Sequence, residues 1–238
     1  AGLVYDINRN FSVYTSFTEI FTQQNSRSED GRLLDPIGGQ SYEAGVKGSW
    51  FDSRLNAAAA IYKSKQDGLA EAIPGVTVIG QEDLQAYRAV DGAEVEGYEL
   101  EVAGKITDNW NLTASYTEYD AEDAKGKPMN TSHPRKMFKA FTSYNFDGVL
   151  SGLTIGGGAN WQDSIYRSAA SPNGTVVVSQ GSYTVANLMA RYQFDQHLSA
   201  QINVTNAFDK KYYEQVGFYS QGWWGEPRKA VLTLKYRY

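Results

Sequence analysis

Phe208, Tyr212, Tyr213, Phe218, Tyr219, Trp223 and Trp224 crowd one stretch near the end of the chain, beside Lys210, Lys211 and Arg228. These residue types suit binding better than catalysis. They offer flat apolar surface, a few hydroxyl and indole donors and some positive charge, as a rigid pocket for a bulky ligand would need. The competing reading is structural: the same aromatics could continue strands or ring the end of a sheet.

Other constellations carry less. His133 precedes Pro134 and His197 lies in a tight turn; neither belongs to a ligand-spaced cluster, so no metal site is expected. Gly156, Gly157 and Gly158 have no following Lys-Ser/Thr and lie in a strand pattern. That excludes a phosphate loop and points to close approach by another element. Glu99 and Glu101 share a face. An enzyme would use them as general acid and base; a polar wall would hold them against water or protein. The wall is the reading adopted. The chain has no Cys, which excludes thiol catalysis, disulfides and Cys-based metal sites. No catalytic residue, cofactor or metal is expected, and the chain is read as not an enzyme.

The elements that position these residues follow from a period of two. Ala230, Leu232, Leu234, Tyr236 and Tyr238 alternate with Val231, Thr233, Lys235 and Arg237, which is a strand with one apolar face. The same test succeeds for about eleven segments, near 1–6, 11–20, 41–50, 54–63, 86–105, 110–120, 135–146, 153–166, 182–194, 198–206 and 228–238. Short turns (7–10, 52–53, 107–109, 147–152, 195–197) alternate with long connections (21–40, 64–85, 121–134, 167–181, 207–227). The second long connection has room for a short helix around Gln81–Gln85. Alternation of this kind puts every long loop at one end of a sheet of hairpins.

Composition narrows the setting. With 27 acidic and 22 basic residues the net charge is −5, which argues against a nucleic-acid partner. No apolar run approaches the ~18 residues of a transmembrane helix. Mean hydropathy is −0.47, as in a soluble protein. A membrane β-barrel averages the same way, because lipid-facing and lumen-facing residues alternate. The aromatic positions favour the barrel: Tyr42, Trp50, Trp110, Tyr116, Tyr144, Phe146, Trp161, Tyr192, Phe194, Tyr236 and Tyr238 lie near strand ends, as in interfacial girdles. Charges such as Lys47, Lys139, Lys235 and Arg237 fall on the other face. A water-soluble sandwich or barrel is the alternative. Eleven strands put the termini at opposite ends, whereas an intact bacterial barrel has an even number. The chain is therefore expected to be a piece of a larger barrel.

Several stretches resemble the C-terminal half of TonB-dependent outer-membrane receptors of the ferric-siderophore subgroup. They are YDINRNFSVYTSFTEIF (5–21), LDPIGGQSYEAGVKGSWFDSRLNAAAAIYKSKQDG (34–68), VEGYELEVAGKITDNWNLTASYTEYDAED (95–123), SHPRKMFKAFTSY (132–144) and, most specifically, NVTNAFDKKYYEQVGFYSQGWWGEPRKAVLTLKYRY (203–238). The resemblance implies an all-β transmembrane antiparallel barrel, with residues 1–238 as the second half of a 22-stranded plugged barrel. It implies an outer-membrane transporter of a Gram-negative bacterium that takes up ferric siderophores by TonB-dependent transport. Implied partners are the plug and N-terminal barrel half, TonB–ExbB–ExbD through that N-terminal region, and outer-membrane lipid and lipopolysaccharide. The plug and the first half of the barrel are absent from these residues, and whatever is missing is expected ahead of Ala1. Tyr219 is placed near the ligand by this resemblance. Trp223, Trp224, Tyr166 and Tyr87 join it by loop position. Tyr238 is implied to be the terminal aromatic of an assembly signal, where Phe is the usual residue. A passive diffusion pore, or a receptor for another large metal chelate or cofactor, remains the alternative function.

Overall fold

The computed structural model describes residues 1–171, 174–218 and 221–238. Eleven strands form one antiparallel sheet, as many as the segments expected. They are β1 (Gly2–Asp6), β2 (Phe11–Thr22), β3 (Ile37–Trp50), β4 (Leu55–Asp67), β7 (Ala93–Lys105), β8 (Trp110–Glu122), β9 (Lys136–Asn145), β10 (Leu153–Gln162), β13 (Tyr183–Gln193), β14 (Leu198–Thr205) and β17 (Lys229–Tyr236). Their order in the sheet follows the chain, from β1 at one edge to β17 at the other. The two edges do not pair with each other.

Three long connections fold into their own hairpins. These are β5–β6 (Leu69–Val78 and Gln81–Val90), β11–β12 (Ile165–Ser171 and Gly174–Gln180) and β15–β16 (Tyr213–Phe218 and Gln221–Trp224). All three lie at the long-loop end. Two expectations are corrected here. Residues Gln81–Gln85 are strand, not helix, because they pair back across the Ile79–Gly80 turn onto β5. The segments 86–105 and 153–166 each divide in two. The first division is pinned reciprocally: Gly68 N–H donates to Asp91 Oδ1 (2.7 Å) and Gly92 N–H donates to Asp67 Oδ1 (2.8 Å). Two Asp-Gly pairs thus close the base of the β5–β6 hairpin where it leaves the sheet.

The register puts side chains in rows across the strands. In an antiparallel pair, residues opposite each other share a face. Val13, Val46, Ala59, Leu100, Tyr116 and Phe138 are linked this way, as are Ala190, Ile202 and Leu232. One face is therefore a continuous apolar belt. Trp50, Trp110, Tyr144, Tyr192 and Tyr236 edge it at the short-turn end; Phe17, Tyr42, Tyr98, Tyr116 and Trp161 edge it at the other. Trp50 and Tyr42 are eight positions apart on β3, about 27 Å along a strand. A tilt of ~40° reduces that to about 20 Å of height, near the ~25 Å apolar band of a membrane barrel.

Among the described residues, nothing packs against this belt. Leu232 and Leu234 are 66% and 69% exposed. Among the described residues, the buried apolar side chains are Val78, Ala86, Ala93, Ala121, Ile165, Tyr183, Val185 and Val216, at and above the long-loop end. A soluble sandwich would bury the belt against a second sheet; among the described residues this sheet has no second layer.

The opposite face is polar. Tyr14 O–H donates to Glu43 Oε1 (2.5 Å), and the Lys47 ammonium lies 4.6 Å above the Tyr14 ring. Glu99, Glu101, Lys139, Asn203 and Lys235 share this face. The glycine run also resolves here. The Phe141 ring lies across Gly156 and Gly158, where an added Cβ would come within 2.9 Å of the ring at either position. At Gly158 it would also meet the Ala140 carbonyl at 2.3 Å. The approaching element is thus an aromatic ring laid flat on the wall. Gly158→Val is expected to lift Phe141 and to destabilise the folded barrel by about 1–3 kcal/mol. Urea unfolding monitored by loss of heat-modifiable gel migration would test it; an unchanged midpoint would show that the ring is not held by the glycines.

Candidate ligand-binding mouth

Trp223 and Trp224 lie on β16, which pairs with β15 through Tyr213↔Trp224 and Gln215↔Trp223. The Tyr213 and Trp224 rings stack at 4.1 Å with 27° between their planes. Both indoles remain more than half exposed, at 56% and 63%. An exposed aromatic held by a stacked neighbour is a preformed contact surface rather than a core residue.

Below them, Tyr212 stacks on Tyr183 of β13 with centroids 4.2 Å apart. Burial pushes the Tyr212 hydroxyl above its ordinary pKa, with the Glu214 and Glu226 carboxylates adding to the effect. The phenol stays a neutral hydrogen-bond donor at physiological pH. This stack, with Lys139, Asn160, Asn187 and Glu214, lines a cavity of about 400 Å³ on the polar face. That is within the range that holds a small ligand.

The β11–β12 hairpin docks on the same side. Tyr213 N–H donates to Gln180 Oε1 (2.8 Å). The Arg167 stem lies over Gly217, where φ is +75° and an added Cβ would sit 2.3 Å from Arg167 Cγ. Only glycine lets the two hairpins approach this closely. Tyr166 is the second residue of β11; its N–H donates to the Thr131 carbonyl (2.9 Å). It faces a cleft with His133, Arg135 and Ser164. Arg135 is held by the Ala121 and Met129 carbonyls and lies 5.0 Å over the Tyr119 ring.

The structure therefore brings Trp223, Trp224 and Tyr166 onto two hairpins in contact. Tyr87 is elsewhere, half-buried on β6. Its N–H donates to the Arg27 carbonyl (2.8 Å), and the same hairpin bonds the Glu29 carbonyl through Ile79. Tyr219 lies outside the described residues. Tyr238 follows β17, fully exposed, with its ring edge-on to Tyr236 at 5.4 Å. Tyr183, Lys139 and Asn187 were not singled out for the site. Their signal was present in strand alternation, which puts each on the polar face, but their meeting with Tyr212 is non-local. Among the described residues, no group of three or more His, Asp or Glu is placed to hold a metal ion.

The wider relationships agree with this geometry. A family model described as "TonB dependent receptor-like, beta-barrel" matches residues 1–207. The ferric-pyoverdine BN7/BN8 receptor of Pseudomonas putida is 40% identical over 240 residues, covering 100% of this chain and 28% of the relative. The ferripyoverdine receptor of Pseudomonas aeruginosa PAO1 is 38% identical over 243 residues, covering 99% of this chain and 29% of the relative. The structure of the pyoverdine outer-membrane receptor FpvA from P. aeruginosa PAO1 bound to pyoverdine superposes with a TM-score of 0.92 at 37% identity, over 100% of this chain and 35% of that one. The chain thus spans roughly three-tenths of the length of the curated relatives it matches. A single-layer antiparallel sheet with one apolar and one polar face, long loops at one end, and a family match over most of its length lead to one assignment: the chain belongs to the TonB-dependent receptor β-barrel family.

Proposed function

We propose that this chain is the C-terminal barrel portion of an outer-membrane receptor that takes up ferric siderophores by TonB-dependent active transport. The observation that carries the reading is the mouth itself. Stacked, half-exposed aromatics on hairpins at the long-loop end stand above a polar-lined cavity. A ferric siderophore arrives with its metal fully ligated, so the protein needs aromatic surface and hydrogen-bond donors rather than metal ligands. Trp223, Trp224 and Tyr166 are proposed contacts, with Tyr219 between the two strands of the β15–β16 hairpin in sequence and Tyr87 proposed as a further contact from the separate β5–β6 hairpin. The relatives named for ferric pyoverdine make that class the first to test.

The two unpaired sheet edges support a larger barrel, since unpaired backbone is very costly at membrane depth. The remaining strands, a plug against the polar face at Glu99 and Glu101, and the TonB–ExbB–ExbD contacts would come from the rest of the protein. Outer-membrane lipid and lipopolysaccharide would cover the apolar belt, and Tyr238 would act in the assembly signal. Expressing the full-length receptor in a receptor-null strain and feeding single iron chelates tests the function. Growth on ferric pyoverdine, ferrioxamine B or ferrichrome that vanishes when TonB is deleted is expected. TonB-independent entry of small solutes would mean a diffusion pore instead, and growth only on a cobalt or nickel chelate would mean a different cargo.

A further inference from the structure

The β15–β16 hairpin belongs to its own two-stranded sheet, so the main barrel ladder does not hold it. One side chain does much of that work. Asn206, just after β14, is 2% exposed with φ at +48°. Its Nδ2 donates both hydrogens, to the carbonyls of Lys210 (2.8 Å) and Glu226 (2.9 Å). Its Oδ1 accepts from Lys210 N–H (2.8 Å), and its own N–H donates to Asn187 Oδ1 (3.1 Å) on β13. Lys210 lies on the outgoing arm of the 207–228 excursion and Glu226 on the returning arm. The buried side-chain amide therefore ties both arms together, and the backbone N–H of the same residue ties them to the barrel wall. Asp209 repeats the link outside it, its Oδ1 accepting from Arg228 N–H (3.0 Å).

The chemistry selects the residue. Two carbonyls and one N–H must be matched at once, and a carboxamide is the small side chain with two donors and an acceptor. Aspartate would turn acceptors toward two carbonyls. An apolar residue would leave three part-buried backbone groups, the Lys210 N–H and the Lys210 and Glu226 carbonyls, without this partner. Asparagine also tolerates the left-handed backbone better than most residues.

We infer that Asn206 is a positioning residue for ligand binding. It lines the cavity but is almost wholly buried, and it acts by fixing where Trp223, Trp224 and Tyr212 stand. The inference rests on the reading that this hairpin takes part in ferric-siderophore binding.

The test uses the full-length receptor with Asn206→Gly, which keeps the backbone conformation and removes the side-chain bonds, and Asn206→Asp, which reverses their polarity. Ferric pyoverdine, ferrioxamine B and ferrichrome are the probes. For whichever binds wild type, both variants are expected to bind at least about tenfold more weakly, with unchanged yield and heat-modifiable migration of the assembled barrel. Trypsin should now cut at Lys210 or Lys211. Binding within about twofold of wild type, while Trp223→Ala/Trp224→Ala loses affinity, would overturn the role of Asn206 and leave the hairpin reading standing. Loss of the assembled barrel in both variants would also overturn it, by making Asn206 a general folding residue. If none of the three probes binds wild type, or if the tryptophan variant binds normally, the hairpin reading itself fails.

Discussion

Replacing Ile202 by Lys is expected to remove most of the assembled receptor from the outer membrane, while Asn203→Lys one position away is tolerated. Ile202 sits in the middle of the apolar belt, opposite Ala190 on one side and Leu232 on the other. A Lys on the lipid face near the bilayer midplane costs about 2–4 kcal/mol, a large part of the stability of an ordinary domain. Asn203 pairs with Met189 and Val231 and faces the polar side, with its Oδ1 accepting from Gln201 Nε2 (3.0 Å). A Lys there points toward water or protein. Quantifying the heat-modifiable band in outer-membrane fractions distinguishes the two positions. Equal accumulation of both variants would sink the assignment of faces, because a strand of period two cannot treat neighbouring residues alike.

The second large effect is on binding. Trp223→Ala/Trp224→Ala in the full-length receptor should weaken ferric-siderophore binding about 10- to 100-fold, taking about 0.7–1.4 kcal/mol for each of the two aromatics. Barrel stability should hardly change, since both indoles are mostly exposed and lie outside the barrel ladder. Phe208→Ala is the control. Phe208 is 82% exposed in the same excursion but is not part of the Tyr213–Trp224 stack. Equilibrium titration of the purified receptor by fluorescence quenching would measure both. If the Phe208 variant loses as much affinity as the tryptophan pair, the loss reflects general loosening of the loop, and the stacked surface is not the contact.

The aromatic run at 208–224 illustrates what could be read in advance. Its residue types announced a binding surface, and its place between two strands announced a loop. Which rings would meet was not legible. Tyr212 stacks on Tyr183, 29 positions earlier, and the Tyr213 backbone N–H donates to Gln180 Oε1 only because two hairpins fold toward each other. The short helix for which Gln81–Gln85 had room does not form, for a related reason. Five polar-leaning residues have weak local preference, and pairing with β5 across a two-residue turn decided their conformation. Tyr87 was grouped with the other site aromatics because all lie in long loops, yet its hairpin bonds the 23–36 connection instead.

The strands, their two faces and the end at which the loops gather were all legible along the chain. All three follow from alternation and turn spacing, which are properties of neighbouring residues along the chain. The hairpins above the barrel, the cavity beneath them and the clamp at Asn206 emerge only in three dimensions. Those depend on backbone carbonyls and rings brought together from distant positions, where hydrogen bonds must be matched one by one and no local period records the partner.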